Sequence, residues 1–96
     1  MAEMERSLLE VIDAALEEIR PMAAASFAPA VSIERQLDWC RGFEMGQATE
    51  ARPGPFSMGL IAVREFDMYG DRPELAMLVN EVQRRVEAKV ARLAAQ

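Results

Sequence analysis

Glu65 is the residue in this sequence whose setting most suggests chemistry. On a helix turning about 100° per residue it falls among Met58, Ile61, Ala62 and Tyr69, inside an apolar arc. A carboxylate stripped of water there could act as a general base, because desolvation raises its proton affinity. What it lacks is company. Cys40 is the single cysteine, so it forms no internal disulfide and belongs to no pair with metal-ligand spacing. Histidine is absent. With it go the usual general base, the usual partner of a Ser or Cys nucleophile, and the commonest zinc ligand. The isolated glycines form no phosphate loop. With no nucleophile or metal beside Glu65, the chain is expected to catalyse nothing.

An unpaired buried charge is costly, so Glu65 either meets an internal arginine such as Arg35 or points at something outside the chain. Gln36, inside the apolar stripe of another helix, raises the same question. Trp39, Met68, Tyr69 and Met77 suit contact with a protein partner, since aromatic side chains offer much area at low entropy cost and methionines adapt their shape. Trp39 and Tyr69 fit the edge of a core equally well. Met77 is harder to place inside, because it lies on the polar face of its helix, one face-neighbour from Arg84.

Four segments with helical periodicity must position these residues, and no Val/Ile/Thr run alternates like a strand. The first covers residues 3–20: Met4, Leu8, Val11, Ile12, Ala15 and Ile19 share a face that Leu9 and Leu16 widen. Glu3, Glu10, Asp13 and Glu17 line the opposite side. Pro21 is expected to end it, with residues 21–30 forming a loop that has room for one helical turn and is closed by Pro29. Ser32 is expected to cap the second, whose stripe is Ile33, Leu37, Cys40 and Phe43. Residues 47–55 read as a linker through Pro53-Gly54-Pro55. The third covers residues 57–69, is apolar nearly all round, and has Gly70 as its expected left-handed terminator. Such a helix is packed on two sides or docked on a partner. Asp71 and Glu74 are spaced for a reciprocal cap on the fourth, with Pro73 in its first turn and Leu75, Val79, Val82, Val86, Val90 and Leu93 as its stripe. Short connections favour antiparallel neighbours, so the expected fold is all-α, a four-helix antiparallel bundle or a close variant, in one domain over residues 1–96.

At 96 residues with 51% apolar, the chain can bury roughly two-thirds of its unfolded surface, enough for one core. The net charge of −5 is lopsided: residues 1–48 carry nine acids against four arginines, and the second half balances seven with seven. An acidic front half disfavours nucleic acid and anionic membrane; it either steers a basic protein inward or simply keeps the domain soluble. Residues 1–11 have no basic leader pattern, and no apolar run nears the roughly 20 residues that span a bilayer, so the expected compartment is the cytoplasm.

The run Gly59, Ile61-Ala62-Val63-Arg64-Glu65-Phe66-Asp67, followed by Pro73-Glu74-Leu75, resembles the signature of immunity proteins for type VI secretion NAD(P)⁺ glycohydrolase toxins. Ser32-x-Glu34-Arg35-Gln36-Leu37 is similar to that family's second-helix stretch, and Ile12-Asp13-x-Ala15-Leu16 to its first. The chain departs from the pattern by two extra residues after Asp67, by Arg72 interrupting the Asp-Pro-Glu-Leu run, and in the tail after Glu81. The resemblance implies a helical protein with no cofactor of its own, which binds a secreted toxin domain in the producer's cytoplasm and blocks its active site. The toxin-facing residues expected on the residue-level reading are Arg64, Glu65, Asp67, Met68, Tyr69, Met77 and Arg84, with Trp39 behind them. The competing expectation is a helical adaptor, or a homodimer that pairs its third helix with its own copy. The two are compatible if the protein dimerises before meeting a toxin.

Overall fold

The computed structural model describes residues 6–47, 55–68 and 70–95. Among them are α1 (Leu8–Ala24), α2 (Ala28–Glu44), α3 (Met58–Ala62), which continues as a π-helical segment (Val63–Met68), and α4 (Pro73–Ala94). No strand occurs among the described residues. The fold is an all-α helical bundle, as the periodicity predicted.

Helix ends depart from the sequence reading more than helix faces do. The first helix begins at Leu8 because Ser7 and Glu10 close a capping box: Glu10 N–H donates to Ser7 Oγ at 3.1 Å, and Ser7 N–H donates to Glu10 Oε1 at 2.8 Å. Met4 and Glu3 of the expected helix lie outside the described residues. Pro21 does not end α1. It sits exposed inside the last turn, where the backbone bond it removes is on the solvent side. The stop comes at Ser26, whose φ of 68° is left-handed. There Phe27 N–H donates to Met22 O and Ser26 N–H to Ala23 O, the paired bonds of a Schellman ending. Gly46 (φ 72°) closes α2 in the same way through Gln47 to Gly42 and Gly46 to Phe43.

Ser32 is not a cap either. The second helix starts a turn earlier, behind Phe27, with Pro29 in the first turn where a missing N–H costs nothing. Asp71 and Glu74 form no reciprocal cap; the residue before α4 is Arg72, with no side-chain cap bond. Its backbone N–H donates instead to Phe66 O at 2.8 Å, and its side chain pairs with Glu18.

Cross-helix bonds fix the topology. Arg20 pairs with Glu34 and Asp38, each at 3.0 Å, and Arg41 with Asp13 at 2.7 Å. Residue numbers rise on α2 as they fall on α1, so the two are antiparallel. The pairs Arg72–Glu18 and Arg85 to Arg6 O (3.0 Å) make α4 antiparallel to α1 by the same logic. Between these helices lies one core, with Ile12, Ile19, Ile33, Leu37, Met58, Leu75, Val79, Val82 and Val86 its largest fully buried members besides Cys40. The α4 stripe fades at its end: Val90 is half-buried and Leu93 is exposed, because the neighbouring helices no longer reach it.

Cys40 is wholly enclosed, and burial, with a smaller push from the negative charge of Glu87, raises its thiol to about 12. The unfolded chain releases this proton near its ordinary value of 9.0, so between there and about 12 the folded state holds the extra proton. The contribution of Cys40 to stability therefore declines as pH rises through that window. At pH 8, a thiol reagent is expected to label the native protein at least about 100-fold more slowly than the urea-unfolded chain, since attack needs an exposed thiolate. Equal labelling rates would contradict the enclosure of Cys40.

Candidate protein-binding surface

The third helix is held from three sides by polar contacts. Gln36 is the one polar side chain buried among the described residues. Its Oε1 accepts the N–H groups of Ser57 and Met58, both at 3.0 Å, and its Nε2 donates to Ser57 Oγ at 3.1 Å and Ser32 Oγ at 3.3 Å. Thus α2 supplies the cap that α3 lacks, since Ser57 makes no side-chain cap bond of its own. Gly59 then lies against α4: its N–H donates to Gln83 Oε1 at 2.8 Å, and Asn80 Nδ2 donates to its carbonyl at 3.1 Å. Farther along, Phe66 O accepts the Arg72 N–H. Residues 59–66 therefore run antiparallel beside the first half of α4.

This clamping buries Met58, Gly59, Ala62 and Phe66, leaves Ile61 half-buried against the core, and turns Leu60 and Met68 outward. Leu60 is 72% exposed, Met68 67% and Met77 71%. Among the described residues no buried side-chain N or O lacks a hydrogen bond, so the interior is complete and these outward apolar groups are its surplus. The third helix is thus packed on two sides, against α2 and α4, while the rest of its apolar circumference stays uncovered.

The expected site residues separate under this geometry. Arg64, Asp67 and Met68 lie exposed on the π-helical segment, a geometry that widens the helix by one residue per turn and often marks functional positions. Glu65 is on the same segment with its side chain 23% exposed, and its carboxylate accepts from the Arg64 Nε–H at 3.1 Å. Its ion-pair partner is thus its sequence neighbour, and Arg35 is not involved. Tyr69 lies outside the described residues. Met77 faces outward from α4 in a shallow groove of about 380 Å³ with Arg6, Glu74, Leu78 and Glu81. Arg84 is exposed two turns farther on.

Trp39 stands apart from them. It is half-buried, stacks on Phe43 at 5.1 Å between ring centres, and meets Phe56 at 5.9 Å, so it packs at the core's edge. Leu60, the most exposed large apolar residue described, was not among the expected contact residues. Its position on the helix opposite Ala62 and Met58 was the signal that could have found it.

The acidic ridge of α1 is partly neutralised from within. Asp13 is paired with Arg41 and Glu10 serves the cap, while Glu17 stays exposed and Glu3 is outside the described residues. Hydrogen bonding to Asp38, opposed by some burial and helped by the charges of Asp38 and Glu34, raises the pKa of Arg20. No three His, Cys, Asp or Glu residues among those described are grouped to hold a metal, and no described helix is long and apolar enough to cross a membrane. No protein-family model, curated protein or solved structure matches the chain.

Proposed function

We propose that this chain is an immunity protein that binds a type VI secretion NAD(P)⁺ glycohydrolase toxin domain in the producing cell's cytoplasm and blocks its active site. It performs no catalysis and carries no cofactor; its action is occlusion, which spares the cell's NAD(P)⁺. The observation that carries this reading is the outward Leu60 and Met68 on the helix that also bears the Ile61-to-Asp67 run of the family resemblance. Flexible apolar side chains beside Arg64 and Asp67 give the mixture typical of an interface centre with a charged rim. Those charges would speed encounter and reject wrong toxins more than they would add affinity.

Titrating the purified protein into the toxin encoded beside it is expected to abolish NAD(P)⁺ hydrolysis near one equivalent. Unchanged hydrolysis under excess protein would overturn the proposal. The variants Leu60→Asp and Met68→Asp place charges on exposed positions that the core does not use. Each is expected to leave the helical circular dichroism intact and raise the concentration for half-inhibition at least about tenfold, the effect of losing one interface anchor.

A further inference from the structure

Among the described residues most acids are satisfied internally, and some cations are not. Asp13, Glu18, Glu34 and Asp38 pair with Arg41, Arg72 and Arg20 along the α1 side of the bundle. Around the second half of α4 the balance reverses. A cleft of about 420 Å³ opens there between the start of α1, the end of α2 and α4, lined by Arg84, Arg85, Lys89 and Arg92 against the single acid Glu44. Lys89 is committed to Glu44 at 2.6 Å, and Arg85 to Glu81 at 3.2 Å and to the Arg6 carbonyl. Arg84 and Arg92 are exposed and have no carboxylate partner among the described residues.

We propose that this cleft receives an acidic segment of a partner polypeptide, with one carboxylate on Arg84 and a second on Arg92. The inference rests on the reading of the chain as a protein-binding module, and it adds the charge of the segment that docks. Arg84, Ala88 and Arg92 follow one another at four-residue steps, so they form a row on one face of α4 with the two guanidinium stems about 12 Å apart. Ala88 between them leaves a low saddle, and the side chain of Leu8 lines the same cleft, so apolar surface lies between the two arginines beside the committed Lys89–Glu44 pair. That alternation fits a peptide with an apolar residue between two acids. Two separated arginines with no backbone N–H cradle between them suit spaced carboxylates better than a single compact anion.

The test titrates the full chain, at low salt and without toxin, with a short peptide carrying two glutamates about four residues apart, a span of about 13 Å when extended, with leucine between them. Its glutamine twin and inorganic phosphate are the comparison ligands. Saturable NMR shifts at Arg84, Ala88 and Arg92, including the arginine Nε–H signals, are expected for the glutamate peptide. They should weaken at least about fivefold in half-molar salt, which screens exposed charge. The exposed Arg84→Glu/Arg92→Glu double variant is expected to lose at least about tenfold in affinity. Ala88→Glu, which fills the saddle with an internal carboxylate, should do the same with its fold intact. Equal binding of the glutamine twin, equal shifts from phosphate at the same concentration, or undiminished binding by both variants would each overturn the proposal. Because no toxin is present, failure here leaves the toxin reading standing, and failure of the hydrolysis assay leaves the peptide result standing.

Discussion

Replacing Gln36 with leucine is expected to lower stability by about 2–4 kcal/mol although leucine matches the apolar surroundings, because one side chain serves four polar groups at once. The Ser57 and Met58 N–H groups both end on its Oε1, and two serine hydroxyls accept from its Nε2. Ser57 and the two hydroxyls retain some access to water, but Met58 is fully buried, so its N–H would lose its partner in a place water does not reach. In a domain this small such a loss shifts the thermal midpoint by about 10–25 °C. Urea unfolding of Gln36→Leu against the parent checks it.

A second variant separates lost polar satisfaction from altered packing. Gln36→Glu keeps an oxygen where both N–H groups converge, and the hydroxyls of Ser32 and Ser57 can rotate to donate to the other oxygen. It is therefore expected to keep most of the stability at neutral pH and to lose it as the carboxyl is protonated in acid. The sign follows from linkage: acceptance of two N–H bonds favours the carboxylate in the folded state, so this stabilisation is present above the ordinary glutamate range and disappears below it. If Gln36→Leu proves as stable as the parent, the cap supplied by α2 contributes nothing. If Gln36→Glu is as damaged as Gln36→Leu at pH 7, shape matters more than the hydrogen bonds.

Gln36 also marks how far a sequence can be read. Its place in the stripe of Ile33, Leu37 and Cys40 was legible, and so was the need for a partner. The partner was not, because Ser57 and Met58 lie 21 and 22 positions away along the sequence. The buried faces of α1 and α4 were legible for a simple reason: one-sided burial imposes a period, and Val11, Ile12 and Ile19, or Leu75, Val79 and Val82, display it. Helix ends carry no such repetition. Pro21 and Ser32 are breakers or caps by type, yet Pro21 is absorbed on an exposed face and Ser32 sits within a helix already begun at Ala28. The decisive signals, Ser7 with Glu10 and the left-handed Ser26, were present but no stronger than the ones that misled. The outward turn of Leu60 and Met68 depends on which side of the third helix Gln36, Asn80 and Gln83 grip. That is settled by tertiary contacts rather than by the local run of apolar residues.

Gly70 illustrates the same limit and carries the second large effect. Its expected role was a left-handed helix ending, but among the described residues only Ser26 and Gly46 have positive φ. Gly70 is needed for closeness instead. A Cβ there would press on the Glu65 carbonyl oxygen and would lie 2.9 Å from Phe66 Cα and 3.1 Å from Phe66 O. All three are backbone atoms of the π-helical segment, so no rotamer change relieves the contact, and either the segment or the turn into α4 must move. Gly70→Ala is expected to cost about 2–3 kcal/mol, the range for overpacking against a rigid neighbour. The two possible reasons for a glycine predict different responses to asparagine, which tolerates left-handed φ but still has a Cβ. At Gly46, where a Cβ meets nothing within 4 Å but φ is 72°, asparagine should be better tolerated than alanine. At Gly70 asparagine should be at least as harmful as alanine. Thermal unfolding of the four variants decides this, and rescue of Gly70 by asparagine would show that backbone angle, not contact with Glu65 and Phe66, governs the position. Because the displaced atoms belong to the segment bearing Arg64, Asp67 and Met68, the proposed function makes Gly70→Ala weaken toxin inhibition at temperatures where the chain is still folded, more than a comparably destabilising change such as Ile12→Ala in the core.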